Sequence, residues 1–319
     1  MPEPRSPAGG SSGNYRALLV LPLGLTAISF ASVFIRLCEA PSLVIAAYRL
    51  TLAAIVLVVF SLPRNLGEFR RLTRAEILPS LLAGVFLCLH FALWITSLQY
   101  TSVASSVIFV TTNPIFVALA SVFLLREKIS AKLLLSIVLA VSGGIVIAWN
   151  DWGAGEHHLY GDLLALLGAV MATGYLLVGR RIRQKVNLAA YITLVYGVAA
   201  VLLIVLALAA GHPAFGYSPR TYLFFCLLAL FPQLIGHTSL NWALKFFSAA
   251  VVAVFILAEP IGASILAYVI LEEKLGMNLF IGGALVLLGI YLSAREERRI
   301  GIAGVGAGFK PAPTVRRDD

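Results

Sequence analysis

Three polar side chains recur along one apolar stretch of this 319-residue chain: Gln233, His237 and Asn241 stand four residues apart. At 3.6 residues per helical turn such positions share a face, drifting by ~40° per step. A polar stripe two turns long suits either a water-filled pathway or hydrogen-bonded contact between helices. His90, Trp94 and Ser97 repeat the pattern at i, i+4 and i+7 in a second apolar stretch. Trp94 could stack a planar or cationic solute, or pack with its N–H satisfied. Glu259 stands midway through a third run. There a carboxyl could hold a cationic group, exchange a proton, or bond to backbone groups freed by Pro260. Arg49, about two helical turns inside a fourth run, could meet a solute carboxylate, pair with a buried acid, or snorkel to the interface. Asn113-Pro114 reads as a helix break that serves as a hinge or a packing kink. Tyr48, Tyr175 and Tyr196 are either cavity aromatics or core. The expected binding set is therefore His90, Trp94, Gln233, His237, Asn241, Tyr175, Tyr48 and Arg49. Glu259, Pro260, Asn113 and Pro114 are the coupling or gating candidates.

Other chemistries find no support. Cys38, Cys88 and Cys226 are scattered, with no C-x-x-C and no histidine at ligand spacing, so neither a disulfide framework nor a metal site is expected. His157-His158 lack further ligands. Gly153 to Gly155 precedes no strand, and no P-loop lysine signature occurs. No Ser/His/Asp or Cys/His constellation has a recognisable setting, so no catalytic residue, cofactor or enzyme activity is expected.

The elements that must carry these residues follow from composition. Hydrophobic residues make up 60% of the chain and charged residues 12%, against about 45–50% and 25% in soluble domains. A mean hydropathy of +0.94 leaves too much apolar surface for one water-soluble core. A soluble enzyme, a nucleic-acid-binding module and a disordered chain are excluded as readings of the whole. Ten apolar runs, at about 18–36, 42–61, 76–98, 101–125, 132–149, 160–180, 188–210, 221–244, 248–271 and 278–294, approach the ~20 residues that cross a bilayer as helix. With both ends inside, 20 of the 24 Lys and Arg residues fall on the inner side, and Arg36, Arg220 and Lys274 outside. That asymmetry is the positive-inside rule, so the net charge of +9 sets orientation and is no nucleic-acid footprint.

A displacement of 146 positions brings Pro114 onto Pro260, Ile115 onto Ile261, Glu127 onto Glu273, Lys128 onto Lys274 and Gly143 onto Gly289. Spans 1–5 and 6–10 therefore look like two copies of one unit. Because five is odd, the second copy enters the membrane upside down, a construction many secondary transporters use, with the solute site at mid-membrane between the copies. Ser136, Ala140, Gly144 and Ala148, with Gly282-Gly283 and Gly289, form small-residue stripes that allow close helix contact within the chain or across a homodimer.

Ala47-Tyr48-Arg49-Leu50, Leu98-Gln99-Tyr100-Thr101, Asn113-Pro114 with Arg126-Glu127-Lys128, Gly161-Asp162, Ala243-Leu244-Lys245-Phe246, and Glu259-Pro260 with Glu273-Lys274 together carry a resemblance. Over about residues 18–294 the chain resembles the drug/metabolite transporter superfamily, specifically its ten-span members with two EamA domains. The resemblance implies an inner-membrane exporter or permease for small metabolites, with a cavity lined by both repeats. Asn113 stands where a Glu often precedes this proline, which leaves one acid at the two symmetric positions and puts paired-carboxylate coupling in doubt.

The expectation is an all-α membrane protein of ten transmembrane helices in two inverted five-helix repeats. Residues 1–17 would form a disordered cytoplasmic tail, 18–149 the first repeat, 150–159 an outer loop, 160–294 the second repeat and 295–319 a second cytoplasmic tail. Its activity would be alternating-access export of a small polar metabolite, such as an amino acid, a nucleobase-like compound or a cationic drug. Its partners would be that solute, the lipid bilayer and, through Glu259 and the histidines, protons. An integral-membrane enzyme or a receptor are the rivals.

Overall fold

The structure, a computed structural model, describes residues 10–123, 129–149, 156–272 and 276–306. Every regular element among them is helical. Nine helical segments are long and apolar enough to cross a bilayer: Leu19–Arg36, Ser42–Ser61, Arg74–Ser97, Val103–Ala120, His158–Ile182, Leu188–Ala209, Pro219–Ala243, Ala249–Leu271 and Met277–Glu296. A tenth helix, Ala131–Ala148, is apolar but shorter. In chain order these ten are spans 1 to 10, with Ala131–Ala148 as span 5. Leu-, Ile- and Val-rich faces lie exposed on most of them, as lipid contact requires.

The first helix begins at Gly10, eight residues before the expected edge of the tail. The last, Met277–Gly306, continues past 294 into the basic stretch. Thirty residues rise about 45 Å, beyond the ~30 Å hydrocarbon core, so one end projects into the interface. The Glu127-Lys128 and Glu273-Lys274 pairs and most of the 150–159 loop lie outside the described residues.

Packing follows the repeat. Span 3 lies against span 6 as span 8 lies against span 1, while span 2 pairs with span 7 and span 5 with span 10. Each contact therefore has a counterpart under exchange of the halves. The direction of the self-equivalent pairs reveals the symmetry. Gly143 of span 5 abuts Gly282, Leu285 and Val286 of span 10, whereas Gly289 abuts Ser136 and Ala140. Residue numbers rise along one helix as they fall along the other, so these equivalent helices are antiparallel. The start of span 2 (Val44, Ala47, Tyr48) likewise faces the end of span 7 (Ile204, Ala207, Leu208). Two copies of one unit whose corresponding helices oppose one another are inverted in the membrane. The small-residue stripes meet one another inside the chain.

Two spans are broken where the proline pairs stand. Span 4 consists of helices Val103–Thr111 and Asn113–Phe123, and span 9 of Ala249–Ile256 and Glu259–Leu271. Proline lacks the N–H that would continue the preceding turn, so each helix restarts one residue before it. Span 8 deforms differently: Ala229–His237 is wound as a wide π segment containing Pro232. A wider turn frees the proline ring from the carbonyl behind it and shifts the angular phase of everything downstream.

A side chain at Gly282 would drive spans 5 and 10 apart, since its Cβ would meet the Gly143 carbonyl oxygen and the Ile147 backbone N, the latter at 3.0 Å. Gly282→Val is expected to cost about 1–3 kcal/mol, read as a lower melting temperature of the purified protein. Gly67→Ala, which meets nothing within 4 Å, should leave it unchanged.

Candidate functional site

Midway through the bundle, spans 1, 3, 4, 6, 8 and 9 enclose a narrow cavity of about 40 Å³, room for a few waters. Its polar lining is His90, Trp94, Thr111, Asn113, Tyr175, His237 and Glu259. Both repeats contribute, and all seven are at most 8% exposed. Small residues let the walls close. At Gly161, where span 6 begins, a Cβ would come within 2.9 Å of the Thr101 backbone N, whereas at Gly168 it would make only ordinary contacts, at 3.5 Å, with the His90 carbonyl oxygen and the Trp94 backbone N. The His90 ring Nδ1 in turn pairs with the Gly168 carbonyl at 3.0 Å. Trp94 stacks on His90 with the rings 6.0 Å apart and 13° from parallel, and His237 sits 6.4 Å from His90. The tryptophan is thus a buried cavity-wall residue that does not face lipid.

The stripe in span 8 does not present one continuous polar face. The π winding between Ala229 and His237 breaks the 3.6-residue phase, and only His237 of the three reaches the cavity. Gln233 and Asn241 lie behind the wall, fully buried, each in a different contact. Gln233 Oε1 accepts a bond from Arg49 Nε at 2.9 Å. The Asn241 Nδ2 group donates to Tyr175 Oη, to Tyr196 Oη at 3.3 Å and to the His237 carbonyl at 2.8 Å. Tyr196 is further tied to Thr238 at 3.3 Å. None of the three faces lipid.

Arg49 does not snorkel. Its side chain is 0% exposed, and its guanidinium carbon lies 4.1 Å from the centre of the Phe91 ring. The other face of that contact is the cavity wall, for Phe91 meets His237 edge-on at 5.2 Å. Cation–π attraction strengthens where water is excluded, to about 2 kcal/mol, which helps to hold the cation here. Phe91 is one of 18 phenylalanines and carried no sequence signal beyond its place beside His90.

Tyr48 does not join the site. Its hydroxyl donates to the Ala214 carbonyl at 2.8 Å and its ring stacks on Phe225 at 4.3 Å. It lines a separate, apolar pocket of about 230 Å³ between the start of span 2 and the end of span 7. Consecutive helical residues point about 100° apart, so Tyr48 and Arg49 cannot share a target. Pro114 and Pro260 act through the backbone, setting the breaks beside Asn113 and Glu259, and are not cavity-lining groups. Among the described residues no cluster of His, Cys, Asp or Glu could hold a metal ion.

Inverted helical halves closing on a buried polar cavity at mid-membrane are the architecture of a secondary transporter. The comparisons make the class specific. The model of the EamA-like transporter family matches residues 16–149 and again 159–295, and the chain belongs to that family. It is 30% identical over 265 residues to the uncharacterized transporter YetK of Bacillus subtilis (strain 168), covering 79% of this chain and 78% of that protein. It is 24% identical over 289 residues to an uncharacterized transporter of Archaeoglobus fulgidus, covering 88% and 98%. A solved crystal structure aligns over 90% of this chain and 99% of its own, with a TM-score of 0.73 and 18% identity, a likeness of fold. The protein is a multi-pass membrane transporter.

Replacing Asn241 by Ala strips the Tyr175 hydroxyl of its Asn241 bond and removes one of the two partners of Tyr196. A buried polar group left unpaired costs about 1–3 kcal/mol. Asn241→Ala is expected to lower the melting temperature accordingly, whereas Asn278→Ala at the start of span 10, where the side chain is only half-buried, should have a smaller effect.

Proposed function

We propose that the protein is a secondary active transporter that exports small polar metabolites, such as amino acids or related compounds, by alternating access. In this reading Ala131–Ala148 also crosses the bilayer, making ten spans, both termini are cytoplasmic and the host bilayer is the inner membrane. The excess of Lys and Arg on one side supports that orientation. Solute would lie against His90, Trp94, Tyr175 and His237, with Asn113 and Glu259 at the broken helices on the opposite wall. Unwound backbone at mid-membrane is tolerated where it borders a polar cavity, and Glu259 supplies a carboxyl for proton exchange there. A permease for drugs or nucleobase-like compounds would use the same aromatic wall.

The observation that carries this reading is a pair of ties between corresponding elements, at neighbouring rather than matching positions, at opposite ends of the bundle. At the outer end Arg36, closing span 1, donates to the Thr101 carbonyl in the turn between spans 3 and 4 at 2.8 Å. At the inner end Arg180, closing span 6, donates to the Leu244 carbonyl in the turn between spans 8 and 9 at 2.7 Å. Span 6 is the repeat of span 1 and the second turn is the repeat of the first, so contacts of like kind, two to three residues apart in register, close opposite ends. Two gates of like construction give inward-open and outward-open states of similar energy, which a carrier needs. The cavity must widen well beyond its present size to take a metabolite, so one tie must release at a time.

Vesicles containing the reconstituted protein should accumulate or release a labelled metabolite that protein-free vesicles do not; no movement of any solute in a broad panel would end the transport reading. The gates are separable by labelling. With Ala172, in the cavity wall, replaced by Cys in a background lacking the native cysteines, Arg36→Ala should increase modification by an impermeant maleimide from the outer side. Arg180→Ala should increase it from the inner side. Equal effects from both sides would contradict alternating access.

A further inference from the structure

We infer that Arg49 and Gln233 form an oxyanion-binding subsite beside the cavity, which selects solutes carrying an acidic group. The inference rests on the transporter reading and adds the chemistry of its ligand. Arg49 comes from the first repeat and Gln233 from the second. Their mutual bond uses Arg49 Nε and Gln233 Oε1 only. Both terminal guanidinium nitrogens, and the Gln233 amide nitrogen, are buried with no hydrogen-bond partner. Trp94 Nε1, on the cavity wall, is also buried and unpaired.

At Arg49 and Gln233 every orphan is a donor, and Trp94 Nε1 adds another; around the cavity His237 Nδ1 depends on its tautomer, while Asn113 Oδ1 and Asn241 Oδ1 are unpaired acceptors. An arginine kept for structure would spend its five N–H groups on carbonyls, as Arg183 does with the Asn241 and Val186 carbonyls. Arg49 instead keeps its planar two-nitrogen edge unspent, the edge that carboxylate, sulfonate and phosphate oxygens match in bidentate fashion. The Glu259 carboxyl is within electrostatic range, yet no ion pair between the two is formed. A buried cation with an open edge costs free energy that a bound oxyanion would recover. Phe91 is the door: it separates the guanidinium from His237 and the cavity, and turning its ring would expose the open edge to solute.

The test is binding to the purified full-length protein in nanodiscs of neutral lipid, with flux left out. The probes are 3-phenylpropanoate, its amide and the matching amine, with inorganic phosphate and anionic-lipid nanodiscs as further arms. The acid should bind at least about tenfold more tightly than amide or amine, as charge-assisted bidentate bonds do. Competition by phosphate would place the specificity on the oxyanion alone, and competition by anionic lipid would place its source in the bilayer; both support an oxyanion subsite. Arg49→Gln should abolish the preference for acid. Should that variant fold poorly, Gln233→Glu decides: it sets an internal carboxylate against the guanidinium, so the acid preference should vanish while thermal stability holds or rises. An acid bound no better than its amide by the parent protein, or an acid preference surviving in Gln233→Glu, overturns the subsite. Flux without acid preference would sink this inference and leave the transport reading standing; acid preference without flux would do the reverse.

Discussion

Hydrocarbon offers a polar side chain no partner, and this constraint orders the molecule. A chain with this share of apolar residues can solvate its outer faces in lipid, but Arg49, Gln233, Asn241, His90, His237 and Glu259 must all be taken inside. The two halves meet around that set. Gln233 reaches Arg49 across the repeats, Asn241 reaches Tyr175 of span 6 and Tyr196 of span 7, and the His90 ring spends one nitrogen on the Gly168 carbonyl. The interior is thereby polar at the depth where lipid is least forgiving.

Glycine and proline make this interior reachable. Gly161 lets span 6 approach the backbone at Thr101 after span 3, and the Gly143–Gly282 contact closes spans 5 and 10 at the edge of the bundle. The prolines then spoil helical regularity where it matters. Pro114 and Pro260 restart their helices beside Asn113 and Glu259, and Pro232 lies within the π segment that turns Gln233 away from the cavity and leaves His237 in it. Irregular backbone appears at the cavity, and also at the end of span 2, where Leu57–Ser61 is π-wound with Val58, Val59 and Phe60 exposed.

The inverted repeat turns local contacts into a mechanism. A contact that binds span 1 to the turn after span 3 must have a relative that binds span 6 to the turn after span 8, and inversion puts that relative at the other end of the pathway. Arg36 and Arg180 fill these roles with unequal surroundings, since Gln184 also donates to the Leu244 carbonyl at the inner end. The two ends are therefore built alike without being identical, which would bias the resting state without abolishing its alternative.

Span positions, the duplicated unit and its inversion were legible from residue order, because they depend on hydropathy and on an odd helix count. Proline pairs marked the broken spans for the same local reason. The site was legible only by its residue types. His90, Trp94, His237, Tyr175, Asn113 and Glu259 do converge, but a uniform 3.6-residue period placed Gln233 and Asn241 on the same open face, which the π winding of span 8 prevents. Arg49 read equally well as a snorkelling cation. Its burial under Phe91 was decided by which helix of the opposite repeat packs against span 2, and no periodicity within span 2 encodes that neighbour. Local chemistry determines what may enter a bilayer; only the docking of one half on the other determines which polar atoms are left facing an empty place.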